Sequence, residues 1–152
     1  MTRPTSPVMR RTVAGLTLSA AALVGIVLHE GRTEFAVIPV KGDVPTIGFG
    51  TTSGVKLGDT TTPPKALARA LTDVQQFEGA LKTGVTVPRA QHEYDALVSF
   101  SYNVGSRAFC QSTLVRKLNA GDYAGACSEL LRWRFFQGKD CALPANTRLC
   151  GG

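Results

Sequence analysis

The sequence lacks the residue patterns that usually hold a metal ion. Its two histidines, His29 and His92, are far apart, and none of its four cysteines belongs to a Cys-x-x-Cys pair. Zinc sites are normally built from such closely spaced ligands. There is also no convincing Ser-His-Asp or Cys-His set for nucleophilic catalysis. We therefore expect no metal and no cofactor.

Internal repeats and low-complexity segments are absent too, and no predicted helix has an arginine-rich face with interleaved aromatic residues. The second absence argues against nucleic-acid binding. The net charge of +6 is spread along the chain rather than gathered in one block. A diffuse basic surface favours a polyanionic environment, which for an exported protein is an acidic cell wall. The alternative is that the charge serves solubility only.

An uncharged run, Thr12–Leu28, lies near the N-terminus and follows Arg3, Arg10 and Arg11. As a helix it would span about 25 Å, slightly less than the roughly 30 Å hydrocarbon core of a bilayer. Alanine, glycine, serine and threonine dilute its leucines and valines, and it has no aromatic belt. The positive-inside bias would leave residues 1–11 in the cytoplasm as a basic N-terminus and place the rest of the chain outside.

Three interpretations of this segment are open. A cleaved secretory signal would use the small residues Ala20 and Ala22, although it would leave an apolar stub at the mature N-terminus. A permanent anchor would normally be richer in leucine and phenylalanine. We favour a releasable anchor, in which an apolar helix over residues 12–28 leaves the bilayer and packs onto the soluble body. All three interpretations predict export.

The four cysteines all lie in the C-terminal third of the chain. In an oxidising compartment they predict two disulfides, for which three pairings are possible. We favour Cys110–Cys127 and Cys141–Cys150, because these pairs close the shortest loops. The apolar segment contains no cysteine, so nothing indicates a thiol-exchange switch there.

Residues 29–152 are long enough for one domain, and their patterns indicate an α+β fold that is mostly helical. Glycine and β-branched residues dominate residues 35–57. This composition predicts a small antiparallel sheet near the start of the domain, with tight turns at residues 41–43 and 53–54.

Helices follow the sheet. Residues 61–64, which include two prolines, open a helix whose apolar residues recur every three or four positions until Gly84. The remaining helices are predicted to begin at Pro88, to cover Ser112–Leu118, and to run from Tyr123 to about Phe135 with Asp122 as the N-cap.

Acidic and hydroxyl side chains are concentrated at the start of this domain. Glu30 ends the apolar helix, where burial would raise the pKa of its carboxyl group and keep it protonated as a proton donor. Glu34 is predicted one helical turn further on the same face, Asp43 lies in the glycine turn, and Thr46 begins a strand. An acid that faces a carboxylate and a hydroxyl suits glycoside hydrolysis. The simpler interpretation is a solvated helix-end glutamate and a turn aspartate.

Four sequence blocks, in order, extend this interpretation: Glu30-Gly31 with residues 44–51 (VPTIGFGT), residues 94–105 (YDALVSFSYNVG), residues 112–122 (STLVRKLNAGD) and residues 131–133 (LRW). Together they resemble the phage-type lysozymes of glycoside hydrolase family 24. The apolar leader that ends at the glutamate resembles the signal-anchor-release subset of these enzymes. The resemblance implies a two-lobed lysozyme-like fold that hydrolyses the β-1,4 bond between N-acetylmuramic acid and N-acetylglucosamine in peptidoglycan, for host cell lysis.

The resemblance also implies roles for single residues. Glu30 is similar to the family's general acid and Thr46 to its catalytic threonine, which positions the attacking water. The family's usual aspartate position falls on Pro39 when counted from the glutamate and on Val40 when counted from the threonine. This loop has one extra residue, and Asp43 is its only acid, so we assign the base role to Asp43 by default.

Two alternatives for the base are open: Glu34 takes the role, or Thr46 alone assists the water. Asn103 resembles a polar residue of the central helix that lines the cleft. Its alternative role is to cap the end of that helix before Gly105.

Members of this family usually continue into a last helix that closes the helical lobe, whereas this chain ends at Cys150-Gly-Gly152. Each apolar side chain that such a helix buries is worth about 1.5–3 kcal/mol, against a total stability of roughly 5–15 kcal/mol. We therefore expect a less stable version of the family, whose activity is in question unless the Cys141–Cys150 loop compensates.

The predicted protein is a monomeric endolysin that acts on glycan strands. It is exported to the periplasm, is tethered at first to the inner membrane by its N-terminal helix, and depends on a partner holin that collapses the membrane potential. One alternative is a lytic transglycosylase, which needs the acid but no water-activating carboxylate. The other is a non-catalytic wall-binding remnant.

Overall fold

The computed structural model describes residues 8–136 and 138–146, with the backbone alone at residue 136. The fold is mostly helical and carries a small antiparallel sheet near its start. The elements in chain order are α1 (Ala20–Glu30), β1 (Thr33–Val37), β2 (Thr46–Gly48), α2 (Pro63–Gly84), α3 (Gln91–Val104), α4 (Ser106–Cys110), α5 (Thr113–Asn119), α6 (Tyr123–Leu130), β3 (Phe135–Phe136) and β4 (Lys139–Asp140), with 3₁₀ turns at Val13–Gly15 and Pro144–Asn146.

The sheet predicted near the start of the domain is confirmed but is shorter than residues 35–57. Strands β1 and β2 pair antiparallel, with Thr33 opposite Gly48 and Val37 opposite Thr46. Both predicted turns are present and hold glycines with positive φ, Gly42 at 90° and Gly54 at 69°. Only glycine adopts that conformation without strain, which explains how the local sequence specifies these turns.

The helix predicted from residues 61–64 to Gly84 is confirmed as α2. The other helix limits differ from the prediction, and α5 is displaced by one residue, to Thr113–Asn119 instead of Ser112–Leu118. Helix α3 begins at Gln91 rather than Pro88, because Arg89 exchanges two backbone hydrogen bonds of 2.8 Å with Arg11. Helix α6 begins after Asp122, which accepts the N–H of Gly125 (2.9 Å) as the predicted N-cap. It ends at Leu130 rather than near residue 135, where the chain forms the β3–β4 hairpin.

The hydrophobic core lies where α2, α3, α4, α5 and α6 meet. Its largest fully buried side chains include Tyr94, Phe109, Leu81 and Leu114. Short α4, which the sequence did not predict, contributes Phe109 from a single turn. The core therefore depends on packing between elements that are distant in the chain.

The single apolar helix predicted over residues 12–28 is wrong. The segment forms a 3₁₀ turn, an extended stretch and then helix α1, which begins at Ala20 because Ser19 caps it and accepts the N–H of Ala22 at 3.1 Å. Within the described part of the chain, no helix is long and apolar enough to cross a membrane. Three side chains of the segment, Val13, Leu16 and Ile26, are only 4–5% exposed and belong to the hydrophobic core.

Polar contacts also attach the N-terminal segment to α2 and α3. The N–H of Leu18 donates to Oε1 of Glu78 on α2 (2.7 Å). Ser19 donates twice to Asp95 on α3, from its N–H (3.0 Å) and from its hydroxyl (2.7 Å). Arg10 pairs with Glu93 at 2.8 Å. These contacts fix the direction of α1 and hence the position of Glu30 at its end.

The predicted Cys110–Cys127 disulfide is wrong, because both residues are free thiols. Cys110 ends α4, and its sulfur lies 3.5 Å from the carbonyl oxygen of Ala80 on α2, whereas Cys127 is exposed on α6. The short loop between them does not bring the two side chains together, because they face different neighbours. Cys141 is disulfide-bonded, and its expected partner Cys150 lies outside the described residues.

Candidate active site

The four side chains predicted to form the site line one cavity of about 470 Å³ between the sheet and the helices α2 and α3. They are Glu30, Asp43, Thr46 and Asn103. Sequence reasoning missed the rest of the lining, which is contributed by Pro39, Gly50, Thr52, Ser53, Asp73, Gln76, Phe77, Tyr102, Val104 and Gly105.

Glu30 is the last residue of α1, which stops there because Gly31 takes a positive φ of 69°. Ile26, one turn earlier, is buried and holds this end of the helix against the domain. Although Glu30 is exposed on one side, its carboxylate lies against Gly50, and a Cβ atom at Gly50 would be 2.9 Å from its Oε2 atom. Partial burial raises the pKa of Glu30, and the charge of His29 opposes this effect.

This arrangement favours the protonated form of Glu30. Within the described residues, the Glu30 carboxylate makes no hydrogen bond and no ion pair, so the charge of His29 alone opposes the effect of burial on its pKa. A carboxyl group with a raised pKa beside an open cavity is suited to general acid catalysis.

Asp43 follows Gly42 in the turn between the two strands. Its N–H donates to the carbonyl oxygen of Val40 (2.9 Å), and its Oδ1 accepts the N–H of Val44 (2.8 Å). The second carboxylate oxygen has no protein partner within the described residues. Asp43 can therefore accept a proton from a water in the cavity while its local hydrogen bonds hold it in place.

Thr46 begins β2 and is half-buried. Its hydroxyl donates to the carbonyl oxygen of Val44 (3.1 Å). A hydroxyl that donates in this way still has lone pairs that can accept a hydrogen bond from water. Thr46 can thus orient a water molecule near Asp43.

The predicted position of Glu34 is wrong. Helix α1 ends at Glu30, so Glu34 lies in β1, where it pairs with Arg32 at 2.9 Å. It is exposed and does not line the cavity. The geometry therefore gives no support to Glu34 as the base.

Two contacts that the sequence did not reveal hold the loop behind Glu30. The hydroxyl of Thr51, which is 2% exposed, donates to Oδ2 of Asp73 on α2 (2.6 Å). The hydroxyl of Tyr102 on α3 donates to the carbonyl oxygen of Phe49 (2.7 Å). Burial raises the pKa of Tyr102, and the negative charges of Asp73 and Glu30 add to this, so the phenol stays a donor.

A signal for part of this set was present in the sequence. Asp73, Gln76 and Phe77 are spaced three and four apart, which places them on one face of α2. Nothing in the sequence, however, indicated that this face would meet residues 49–51.

Asn103 lies in the last turn of α3. The helix end is closed by the backbone bond from Gly105 N–H to the carbonyl oxygen of Ser101 (2.9 Å), and the side chain of Asn103 makes no hydrogen bond within the described residues. The amide is exposed and borders the cavity, so it is free to bind a ligand there.

A second cavity of about 630 Å³ also borders Glu30 and Asn103. Most of its surface is apolar, although the charged or polar side chains of His29, Arg89, His92 and Glu93 also line it. Sugar hydroxyl groups need polar partners, so the first cavity, which carries the carboxylates and hydroxyls, is the better candidate for glycan binding. In residues 8–136 and 138–146, no group of three or more His, Cys, Asp or Glu side chains is placed to hold a metal ion.

Comparison with known proteins agrees with this geometry. The sequence model of the family described as Phage lysozyme matches residues 28–148. The SAR-endolysin of Pseudomonas phage phiKMV is 38% identical over 125 residues, 82% of this chain and 76% of that protein. The endolysin of Acyrthosiphon pisum secondary endosymbiont phage 1 is 42% identical over 88 residues, 58% of this chain and 60% of that protein, so the chain spans less than two thirds of that relative.

A solved structure shows the same fold. The muramidase domain of SpmX from Asticaccaulis excentricus superposes with a TM-score of 0.72 at 30% sequence identity, over 82% of this chain and 85% of that one. The family match covers most of the chain, including the cavity residues Glu30, Asp43, Thr46 and Asn103. The chain belongs to the phage lysozyme family of glycosidases.

Proposed function

We propose that this protein is an endolysin muramidase that hydrolyses the β-1,4 bond between N-acetylmuramic acid and N-acetylglucosamine in peptidoglycan, for host cell lysis. The observation that carries the proposal is the convergence of Glu30, with its raised pKa, on the cavity lined by Asp43 and Thr46. The family match and the muramidase among the solved neighbours support it.

In the proposed reaction, Glu30 gives its proton to the glycosidic oxygen as the bond to the anomeric carbon breaks. Positive charge develops on that sugar, and the Asp43 carboxylate stabilises it. A water held by Thr46 adds its hydroxyl to the anomeric carbon and passes its proton to Asp43. Asn103 binds a polar group of the glycan. No cofactor is needed, because every proton has a donor and an acceptor among these groups.

Substitution of Asp43 by alanine tests the base role. We expect the rate of wall clearing to fall by about 10²- to 10⁴-fold, the usual contribution of a positioned acid or base. The matched control is Glu34→Ala, which removes an exposed carboxylate outside the cavity and should leave the rate unchanged. Equal rates for Asp43→Ala and wild type would contradict the assignment. They would favour the alternative in which Thr46 alone assists the attacking water.

Mass spectrometry of the products tests the reaction itself. Hydrolysis leaves reducing N-acetylmuramic acid ends, whereas a lytic transglycosylase leaves 1,6-anhydro ends. We expect reducing ends from the wild-type protein. Anhydro ends would replace the proposed reaction by transglycosylation, and binding to purified wall without any new ends would indicate a non-catalytic wall-binding protein.

We further propose that the N-terminal segment is a releasable anchor. In this proposal residues 12–28 first tether the exported chain to the inner membrane, with basic residues 1–11 on the cytoplasmic side, and then pack onto residues 29–152. The SAR-endolysins among the relatives support this. So does the segment's packing, because Val13, Leu16 and Ile26 are apolar enough for lipid yet fit the core of the domain. While the segment is in the bilayer, Glu30 cannot join Asp43 and Thr46.

Fractionation of cells tests the release. We expect full-length monomeric protein to move from the membrane to the soluble periplasmic fraction when a holin or an uncoupler collapses the membrane potential. Asp95→Ala removes the acceptor of both Ser19 hydrogen bonds. A smaller share of this variant should therefore move to the soluble fraction, and its free energy of unfolding should be lower by about 1–3 kcal/mol. A shortened soluble species would show a cleaved signal, and a chain that stays in the membrane would show a permanent anchor.

A further inference from the structure

The catalytic cavity continues beyond the end of α3. A neighbouring cavity of about 480 Å³ lies beside α4, and both cavities share Phe77, Val104 and Gly105 in their lining. A ligand in the catalytic cavity can therefore extend into this neighbouring cavity without leaving the surface of the protein. The neighbouring cavity beside α4 adds Arg107 and Gln111, whose side chains are both exposed.

Arg107 is the feature of interest in this neighbouring cavity. Within the described residues its guanidinium makes no hydrogen bond and no ion pair, whereas Arg10, Arg32 and Arg116 each bind a side-chain oxygen. The side chain of Gln111 likewise makes no hydrogen bond to the described residues. Both groups are thus available to a ligand.

The backbone under Arg107 is fixed. Helix α4 is anchored by Phe109, which is fully buried, and by the contact of Cys110 with Ala80. The turn into α4 is set by Gly105 with a φ of 88°. The position of the guanidinium stem relative to the catalytic cavity is therefore set by the fold rather than by a loose loop.

Charge separates the two cavities. The catalytic cavity holds the carboxylates of Glu30, Asp43 and Asp73. Among the described residues that line either cavity, Arg107 is the only lysine or arginine. An anionic group on a substrate would be repelled from the acidic cavity and attracted to Arg107, which can bind a carboxylate with two parallel hydrogen bonds.

We propose that the Arg107 cavity binds the stem peptide of peptidoglycan, with the guanidinium paired to one of its carboxylates and Gln111 bonded to a peptide amide. This inference rests on the proposed function, because the glycan must lie in the catalytic cavity for its peptide to reach α4. The glycan itself offers hydroxyl and acetamido groups, whereas the stem peptides carry the carboxylates. Arg107 is then a specificity-determining residue for peptide-bearing wall.

The test uses purified peptidoglycan and the same material with its carboxyl groups converted to amides, which keeps the peptide and removes its negative charge. For wild type we expect a KM roughly tenfold lower on untreated than on amidated wall, the scale of one charge-assisted hydrogen-bonded pair. Arg107→Ala should have the higher KM on both substrates, with kcat little changed. Arg107→Lys should recover part of the preference, and added salt should reduce it.

The matched control is Arg116→Ala on α5, an exposed arginine that lines neither cavity. It should behave like wild type on both substrates, and the melting temperatures of all variants should agree. The inference is overturned if wild type does not distinguish the two walls, or if Arg107→Ala keeps the preference for untreated wall. In either case, release of reducing ends would still support the proposed muramidase reaction. If wild type cuts neither wall, the proposed function fails and this inference fails with it.

Discussion

Replacement of Glu30 by glutamine is expected to reduce glycan cleavage by about 10²- to 10⁴-fold, the contribution of a general acid. Glutamine has nearly the same shape but carries no proton that it can give to the leaving oxygen. Loss of turbidity of purified wall, with matched protein concentrations, measures the effect. A Glu30→Gln variant that still clears wall would contradict the acid assignment.

The same substitution makes a prediction about stability. The pKa of Glu30 is raised in the folded protein because burial disfavours its charged form. The favourable contribution of the protonated group is therefore fully present below the unfolded pKa and is lost as pH rises through the raised folded pKa. Glu30→Gln avoids that loss, so its melting temperature should exceed that of wild type at neutral pH and approach it in acid.

Controls separate this effect from a general change in charge. Glu34→Gln removes an equal charge from an exposed position beside Arg32 and should not shift the melting temperature in the same pH-dependent way. In the wild type, the alkaline fall of kcat/KM should lie above the ordinary pKa of a glutamate. A fall at or below that value would show that Glu30 does not carry the proton.

Gly50→Ala is expected to reduce activity by roughly 10- to 100-fold, because the added methyl group displaces the acid. Gly50 has a φ of 81°, and an added Cβ would lie 2.9 Å from Oε2 of Glu30 and 3.4 Å from its Cδ. Glu30 must move away, because Thr51 and Tyr102 hold the loop behind it. Steady-state kinetics should show the loss mainly in kcat.

Gly54→Ala is the matched control for this experiment. Gly54 also has a positive φ, 69°, but a Cβ there would meet nothing within 4 Å. Both variants should lose about 1–2 kcal/mol of stability from the left-handed backbone, and only Gly50→Ala should lose activity beyond that. Equal activity losses in the two variants would mean that the contact with Glu30 has no role in positioning it.

The sequence was sufficient where local chemistry decides the structure. The glycine turns near Asp43 and residues 53–54, the prolines that open α2 and the N-cap Asp122 all follow from rules that act within a few residues. The four candidate site residues were also identified and do line one cavity. Their catalytic roles are predictions that the substitutions above will test.

The sequence was insufficient where distant segments meet. Helix α3 starts late because Arg89 pairs with Arg11, a contact between residues far apart in the chain. Helix α6 stops early because residues 135 and 136 pair with β4. The free thiols of Cys110 and Cys127 and the Thr51–Asp73 bond likewise depend on which helix faces meet, and periodicity alone does not specify that.

Two of the bonds that attach the N-terminal segment use the main chain, from the N–H groups of Leu18 and Ser19 to carboxylates on α2 and α3. Every residue except proline offers the same amide. Substitutions at Leu18 and Ser19 by any residue other than proline can therefore change the hydrophobicity of this stretch while the main-chain bonds to Glu78 and Asp95 are kept.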